Sequence, residues 1–432
     1  LKGGMTTTIT TASNMEESLA EVPVPTTLIT EEMIRNCGGR NLQEVLAAYV
    51  PGMHLIDCNN GINIAMRSLS GATQETMLIM LNGHRLNSYI TNAASPDFSM
   101  SLEKIKQIEV LRGPASSLYG SVALTAVVNI ITKQGADVDG VEVKAGAGNY
   151  GQLRGELLIG KRYYDLDVLA WASVYGNKGE RRTVSEEHRG VNSAGETVDE
   201  IRIGRIGDHP SYDLGFQLSY KGVSLLYNTR FSQIVAPYTA LTTASSYDRE
   251  RYRDYNGIKP SFANSSHHVN LSYRHQLKAF NLSFGASFDN GDITQYQVVG
   301  EHPYDYVTRL YDRLAETPDD VDGLTEYLNT QEQNYGLRMR HSYNYAMGSS
   351  HKGTIMLGAE YTHFVLDGLR YQLGYEYVNT LSENESMRTL STGHENAANV
   401  SMQIKHQWHS LILNAGMRYD YKRRIGSSKV RE

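Results

Sequence analysis

From about Gly140 to the end of the chain, apolar and polar residues alternate with a period of two. This constrains the fold more than any other feature. The stretch "YDLGFQLSY" puts Tyr212, Leu214, Phe216, Leu218 and Tyr220 on one face and Asp213, Gly215, Gln217 and Ser219 on the other. "FNLSFGASFD" sets Phe280, Leu282, Phe284, Ala286 and Phe288 against Asn281, Ser283, Gly285, Ser287 and Asp289. "VSLLYNTRFS" and "VSMQIKHQW" repeat the pattern. A period of two over roughly ten residues marks a strand with one apolar and one polar face. In a water-soluble sandwich the apolar faces form a core and the polar faces meet water. In a membrane barrel the apolar faces meet lipid and the polar faces line the lumen.

The spacing of turns favours the barrel. Short turns at Lys161-Arg162, Lys221-Gly222, Gln276–Lys278 and His409-Ser410 alternate with long connections over 178–210, 234–264, 295–332 and 367–397. Outer-membrane barrels alternate short periplasmic turns with longer outer loops in this way. The chain has 29 Tyr against 8 Phe and 2 Trp. Tyr212, Tyr220, Tyr335, Tyr343, Trp408 and Tyr419 fall near strand ends, where interfacial girdles belong. A helical membrane protein is excluded, because the longest apolar run, Val45–Val50, has six residues, far short of the ~20 needed to span. Eleven strands are expected, near 141–149, 152–160, 164–176, 211–220, 222–232, 266–276, 279–290, 334–344, 353–363, 399–408 and 410–422. An odd count with an open edge leaves backbone groups unpaired in lipid. The expectation is therefore the N-terminal part of a longer protein, with a further chain or segment supplying the rest of the barrel.

Before about residue 135 the signals change to a mixed α+β pattern. Thr30 precedes "EEMIRN", an N-cap followed by acids in the first turn, and Gly38-Gly39 closes that short helix. "NLQEVLAAYV" places Leu42, Val45, Leu46 and Tyr49 on one helical face, and Pro51-Gly52 ends it. "INIAMRS" and "MLIMLNGHRLN" read as strands, the second broken by an Asn82-Gly83 turn. The net charge of −6, with both signs interspersed, carries no nucleic-acid footprint. Two cysteines are too few for a disulfide scaffold. Enzyme signatures are absent, and no cofactor or metal template is met. His267 and His268 point to opposite faces of a strand, His84 stands alone in a turn, and "PDDVDG" (Pro318–Gly323) fails the calcium-loop pattern.

The stretch Ile108–Lys133, "IEVLRGPASSLYGSVALTAVVNIITK", together with "MLIMLNGHRLN" and "VPVPTTLITEEMI", resembles the plug of the TonB-dependent outer-membrane receptors. "LNAGMRYDYK" resembles one of their mid-barrel strands. Two departures stand out: Ser68 where Gly is usual, and Thr125-Ala126 in place of Gly-Gly. The resemblance implies a transmembrane antiparallel β-barrel of about 22 strands, about eleven of them present here, with an N-terminal α+β plug domain. The divisions are then 1–21 for a periplasmic segment, 22–135 for the plug and 136–432 for the barrel. It implies a TonB box within "TTTITTA", at Thr7, Thr8, Ile9, Thr10, Thr11 and Ala12, an extended segment able to add to a partner's sheet edge. It assigns Arg67, Glu109 and Arg112 to locking the plug against the wall, since buried charges are paired. It assigns Tyr89, Asn92 and Asp97, on the plug's outer loops, to a small-molecule substrate. The expected partners are the inner-membrane-anchored TonB energy-transducing complex, outer-membrane lipid and lipopolysaccharide. The expected function is import of a scarce bulky nutrient across a Gram-negative outer membrane, foremost an iron–siderophore complex, then cobalamin or haem. A passive pore, a surface adhesin or an outer-membrane enzyme are the readings from other classes.

Overall fold

The computed structural model describes residues 8–9, 17–18, 25–58, 61–66, 69, 75–113, 119, 123–192, 194–240, 244–301, 323–348, 350–375, 377, 379–380 and 392–426. Two short strands, β1 (Thr8–Ile9) and β2 (Glu17–Ser18), pair with each other near the N-terminus. The plug follows with β3 (Thr26–Thr30), α1 (Glu31–Asn36) and α2 (Leu42–Tyr49). The first helix carries the cap expected at Thr30, and the second is capped by Asn41. Thr30 Oγ1 accepts from the Met33 amide at 3.3 Å, and Asn41 Oδ1 accepts from Glu44 at 3.0 Å. A hairpin, β4 (Met53–Cys58) with β5 (Gly61–Met66), precedes β6 (Met77–Leu81), β7 (His84–Arg85), β8 (Ile105–Arg112) and β9 (Ala126–Thr132). The central plug sheet has the order β3-β8-β9-β6-β7, with β6 and β9 parallel. Ile108–Arg112 and Val127–Ile131 of the recognised stretch are neighbouring strands of this sheet. Gly113 leaves it at φ 129°, where a Cβ is disfavoured, and its amide bonds Thr125 O at 2.9 Å.

A short helix, α3 (Gly135–Val138), hands the chain to the wall. Its Gly135 and Ala136 amides donate to the Asp167 carboxylate at 2.7 and 3.1 Å, a favourable place for an anion. The wall is a single antiparallel path of eleven consecutively paired strands. They are β10 (Gly140–Ala147), β11 (Leu153–Tyr163), β12 (Leu166–Gly176), β17 (Ser211–Tyr220), β18 (Val223–Ile234), β19 (Ser261–Leu277) and β20 (Phe280–Gly300), then β21 (Leu324–Met347), β22 (His351–Tyr375), β24 (Gly393–Trp408) and β25 (Leu411–Gly426). Among the described residues β10 and β25 each pair on one side only. The outer loop after β12 carries two hairpins, β13 (Glu180–Thr183) with β16 (Glu200–Ile203) and β14 (Gly190–Val191) with β15 (Thr197–Val198). A two-residue strand, β23 (Asn379–Thr380), extends the end of β22.

The number of strands agrees with the expectation, while some boundaries move. The first short turn lies at Tyr164-Asp165 rather than Lys161-Arg162, because the alternation continues to Tyr163. Strands β20 to β22 run well beyond their expected outer ends, standing as long hairpins above the wall. Burial settles sandwich against barrel. Inward polar residues are enclosed, Asp213 and Asn228 at 0% and Asn334 at 1% exposure, while outward Leu337 and Val400 stand 60% and 59% exposed. That is the burial of a barrel wall with a plug inside it. The plug's apolar core, centred on Ile29, Leu46, Ile79, Ile108 and Val128, closes against Leu158, Leu169, Trp171 and Leu226 of the wall.

Candidate functional site

The inward faces of the wall are ordered by register into rows. One row runs Asp213, Arg230, Ser266, Gly291, Glu332 across β17 to β21. The next, two residues nearer the short turns, runs Gly215, Asn228, His268, Asp289, Asn334. Against these rows lies one plug segment, Asn82 to Lys104, and it meets them bond by bond.

At one end, Asp213 is wholly enclosed and takes four donors. Lys104 Nζ forms an ion pair with it, Ser101 N donates at 2.9 Å, Trp171 Nε1 at 2.8 Å and Asn228 Nδ2 at 2.7 Å. The Lys104 ammonium also sits 4.7 Å from the centre of the Trp171 ring. Burial pulls the Lys104 pKa below its ordinary value, against the opposing pull of Asp213. Midway, Ser232 Oγ donates to Asp97 Oδ2 and Arg230 Nη1 to Ser95 O at 3.3 Å. At the far end, Glu332 receives Ser88 Oγ at 3.0 Å, Tyr89 N at 3.1 Å and Ile90 N at 3.0 Å. His84 Nε2 meets Asp289 Oδ1 at 2.6 Å, and Asn82 Nδ2 donates to Gln217 Oε1 at 2.6 Å.

Among the described residues, the Tyr89 amide donates to Glu332 and the Ile90 amide to Glu332 and Ser88 Oγ. Hydrogen bonds to a charged group are worth about 1.5–3 kcal/mol each. Glu332→Ala is therefore expected to speed hydrogen exchange at Tyr89 and Ile90 by at least about 10-fold, read by mass spectrometry, with the β8–β9 amides unchanged.

The residues singled out from sequence are placed as follows. Glu109 is buried on β8 and accepts from Gln107 Nε2 at 2.9 Å. Arg112 donates its amide to Pro25 O at 2.9 Å, and its Nε is buried without a partner among the described residues. Arg67 lies outside the described residues, as do Thr7, Thr10, Thr11 and Ala12 and most of "PDDVDG". Tyr119 of the recognised stretch sits in the field of Glu109 from the plug and Arg338 and Arg340 from the wall; burial raises its pKa. Tyr119, Arg338 and Arg340 border a crevice of about 1050 Å³ between plug and wall, lined also by Asn82, Asn129 and Gln217. Tyr89 lies under the Arg85 guanidinium, 4.2 Å from ring centre, and 6.0 Å from the Phe364 ring. Asn92 Oδ1 accepts from Arg85 Nη2 at 2.9 Å, and Asp97 Oδ1 accepts from Ser99 N at 2.8 Å.

Sequence reasoning missed Lys104, Asp213, Glu332 and the His84–Asp289–His268 group. Asp213 and Asp289 were legible as charges in the middle of a lumen face. Nothing in the sequence paired them with their plug partners.

Above the rows, the outer loops pack around tyrosines. Tyr255, Tyr296 and Tyr327 form one cluster, and Tyr247 and Tyr252 another that Tyr377 joins. Tyr377 Oη donates to Glu301, and the Arg253 and Arg251 guanidinia lie over the Tyr255 and Tyr377 rings. Arg249, in the loop between β18 and β19, grips Asp208, in the loop before β17, at both oxygens, 2.9 and 2.7 Å. Those bonds outweigh partial burial and hold the Asp208 pKa at about 2, below its ordinary 3.8. A depressed carboxylate pKa stabilises the fold above its unfolded value and loses that contribution as pH falls through the folded one. Proteolytic protection of the loops around 205–260 is thus expected to hold down to about pH 4 and to fall between about pH 4 and pH 2. Asp208→Asn should remove that acid step.

A family model described as the TonB-dependent Receptor Plug Domain matches residues 18–127. A vitamin B12 transporter BtuB of Photobacterium profundum is 34% identical over 206 residues, 46% of this chain and 33% of that protein. One from Vibrio vulnificus is 27% identical over 186 residues, 43% of this chain and 30% of that protein. The matched stretches thus span about a third of the length of these curated relatives. Among solved structures, the ferric yersiniabactin uptake receptor FyuA of Yersinia pestis aligns over 92% of this chain and 56% of its own, with TM-score 0.58 and 12% identity. The pyoverdine receptor FpvA of Pseudomonas aeruginosa aligns over 98% and 60%, with TM-score 0.59 and 13% identity. At such identity these two speak for the fold, a plug within a membrane barrel. A plug sheet, a wall of eleven strands with its polar face turned inward, and the match over residues 18–127 together show a TonB-dependent receptor plug domain set against a membrane-barrel wall, the build of the TonB-dependent receptors of the Gram-negative outer membrane.

Proposed function

We propose that this chain carries the plug and part of the wall of an energy-coupled importer for a scarce, bulky nutrient. The observation that carries the reading is the polar character of the seam along Asn82–Lys104. Hydrogen bonds to Asp213, Glu332, Asp289 and Gln217 can be exchanged for bonds to water when the plug is pulled. An apolar seal over the same length would resist release. The pull would be applied by the TonB complex at Thr7–Ala12. Its described residues, Thr8 and Ile9, pair with Ser18 and Glu17. A segment already extended enough to pair within its own chain suits strand addition to a partner's sheet edge.

Cargo would be met by the plug's outer loop, with Tyr89, Asn92 and Asp97, and by the tyrosine and arginine groups of the outer loops. Arg67, Glu109 and Arg112 would steady the plug beside the crevice at Arg338 and Arg340. A ferric siderophore suits outer loops rich in aromatic rings and guanidinia. A corrinoid is the second reading, favoured by the two vitamin B12 transporters among the relatives. Deleting residues 1–14 is expected to abolish uptake while leaving cargo binding to cells intact. Uptake that survives the deletion would favour a passive pore and sink the energy-coupled reading. Growth on single iron or corrinoid sources then separates the two cargoes.

A further inference from the structure

The buried group at the plug–wall seam has a composition that hydrogen bonding alone does not require. His84 comes from β7 of the plug. His268 and Asp289 are register partners on β19 and β20 of the wall, and Asn334 is the register partner of Asp289 on β21. All four side chains are buried. His84 Nε2 and His268 Nδ1 both point at the same oxygen, Asp289 Oδ1, at 2.6 and 2.8 Å. Their rings meet edge to face with centres 5.6 Å apart.

We propose that His84, His268 and Asp289 form a binding site for a divalent transition-metal ion such as Zn²⁺, which staples the plug to the wall. The ligand atoms lie within 4.8 Å of one another, the closest approaches being 2.6 and 2.8 Å. Ligands ~2.1 Å from a tetrahedral zinc stand ~3.4 Å apart. The observed separations bracket that value, so a cation replaces the shared protons with side-chain shifts of about an ångström or less. Two imidazoles and one carboxylate are the donor set of borderline metals; calcium and magnesium ask for oxygen throughout.

A second observation points the same way. Asn334 donates its Nδ2 to Asp289 Oδ2 at 3.3 Å, while its own Oδ1 is buried with no donor among the described residues. A metal held by three protein ligands keeps a water in the fourth position. That water's proton would satisfy Asn334 Oδ1, and the Nδ2 bond would orient the ligating carboxylate. The sequence contained the ligands but not the site. His268 reads there as half of a pair that cannot chelate, and its true partners stand 184 residues upstream at His84 and 21 residues downstream at Asp289. Its neighbour His267 is turned to the other face, where its ring meets the Tyr227 hydroxyl at 3.3 Å.

The test is a titration of the detergent-purified receptor, stripped with a chelator, with Co²⁺ and then Zn²⁺. One equivalent of Co²⁺ should give visible d–d bands of a low-coordinate nitrogen and oxygen site, and Zn²⁺ should displace it. His268→Gln and Asp289→Asn, on the wall, and His84→Gln, on the plug, should each weaken binding at least about 10-fold. A double variant at His351 and His406, whose ring nitrogens stand 3.3 Å apart near the short turns, should leave it unchanged. The His84→Gln protein keeps the wall intact, so its loss of binding is separable from a folding failure. Absence of a one-equivalent site, binding that survives all three substitutions, or binding lost only in the His351/His406 variant would each overturn the proposal.

Discussion

Asp213→Ala is expected to release the Lys104 end of the plug from the wall. Four donors converge on that carboxylate, and one of them is a buried ammonium. Removing one partner of a buried pair costs about 3–5 kcal/mol, because the remaining charge is left without compensation. Chains with more than one domain commonly depart from two-state unfolding, so the loss should be read locally. Limited proteolysis and hydrogen exchange across residues 95–104 should show opening increased by on the order of 100-fold or more. Adding Lys104→Met to the same chain should restore much of the protection, since no orphaned charge then remains. If Lys104→Met makes matters worse rather than better, the ion pair is not what holds this end.

Gly135→Val is expected to be at least as damaging, through geometry rather than charge. A Cβ at Gly135 would stand 2.1 Å from Val168 O and 2.6 Å from Lys161 O, both backbone atoms of paired wall strands. Neither can move without breaking the β11–β12 ladder, so α3 must leave the wall. Its two amide bonds to Asp167 go with it. Overpacking against backbone costs about 3 kcal/mol or more. The expected outcome is a sharp fall in the yield of heat-modifiable, folded barrel on gels. Gly146→Ala should have a much smaller effect, since a Cβ there meets nothing within 4 Å and the residue lies in the extended strand β10.

What could be read from the sequence, and what could not, divides along physical lines. Alternation is local, so the wall strands and their number were legible from residues such as Tyr212–Tyr220 and Phe280–Phe288. The cap at Thr30 is local too, and the first helix begins where that residue places it. Strand ends were less legible, because above the membrane neither face of β20 to β22 has to be apolar. The seam was hidden for a different reason. Lys104 to Asp213 and Ser88 to Glu332 join residues far apart in the chain, and nothing local marks which lumen charge meets which plug residue. One signal was present and unused. Leu226 breaks the polar face of its strand, and it is there that the wall packs against the plug core.

The most direct test of the whole account is a crosslink across the seam. Asp97 and Ser232 are short side chains in hydrogen-bond contact between plug and wall, so cysteines at the two positions face each other across the seam. In a protein with Cys37 and Cys58 replaced by Ser, Asp97→Cys with Ser232→Cys should oxidise to a plug–wall disulfide in intact membranes. It should stop uptake, leave cargo retained at the cell surface, and restore uptake on reduction. Failure of the pair to crosslink, or uptake continuing through a crosslinked receptor, would contradict the account.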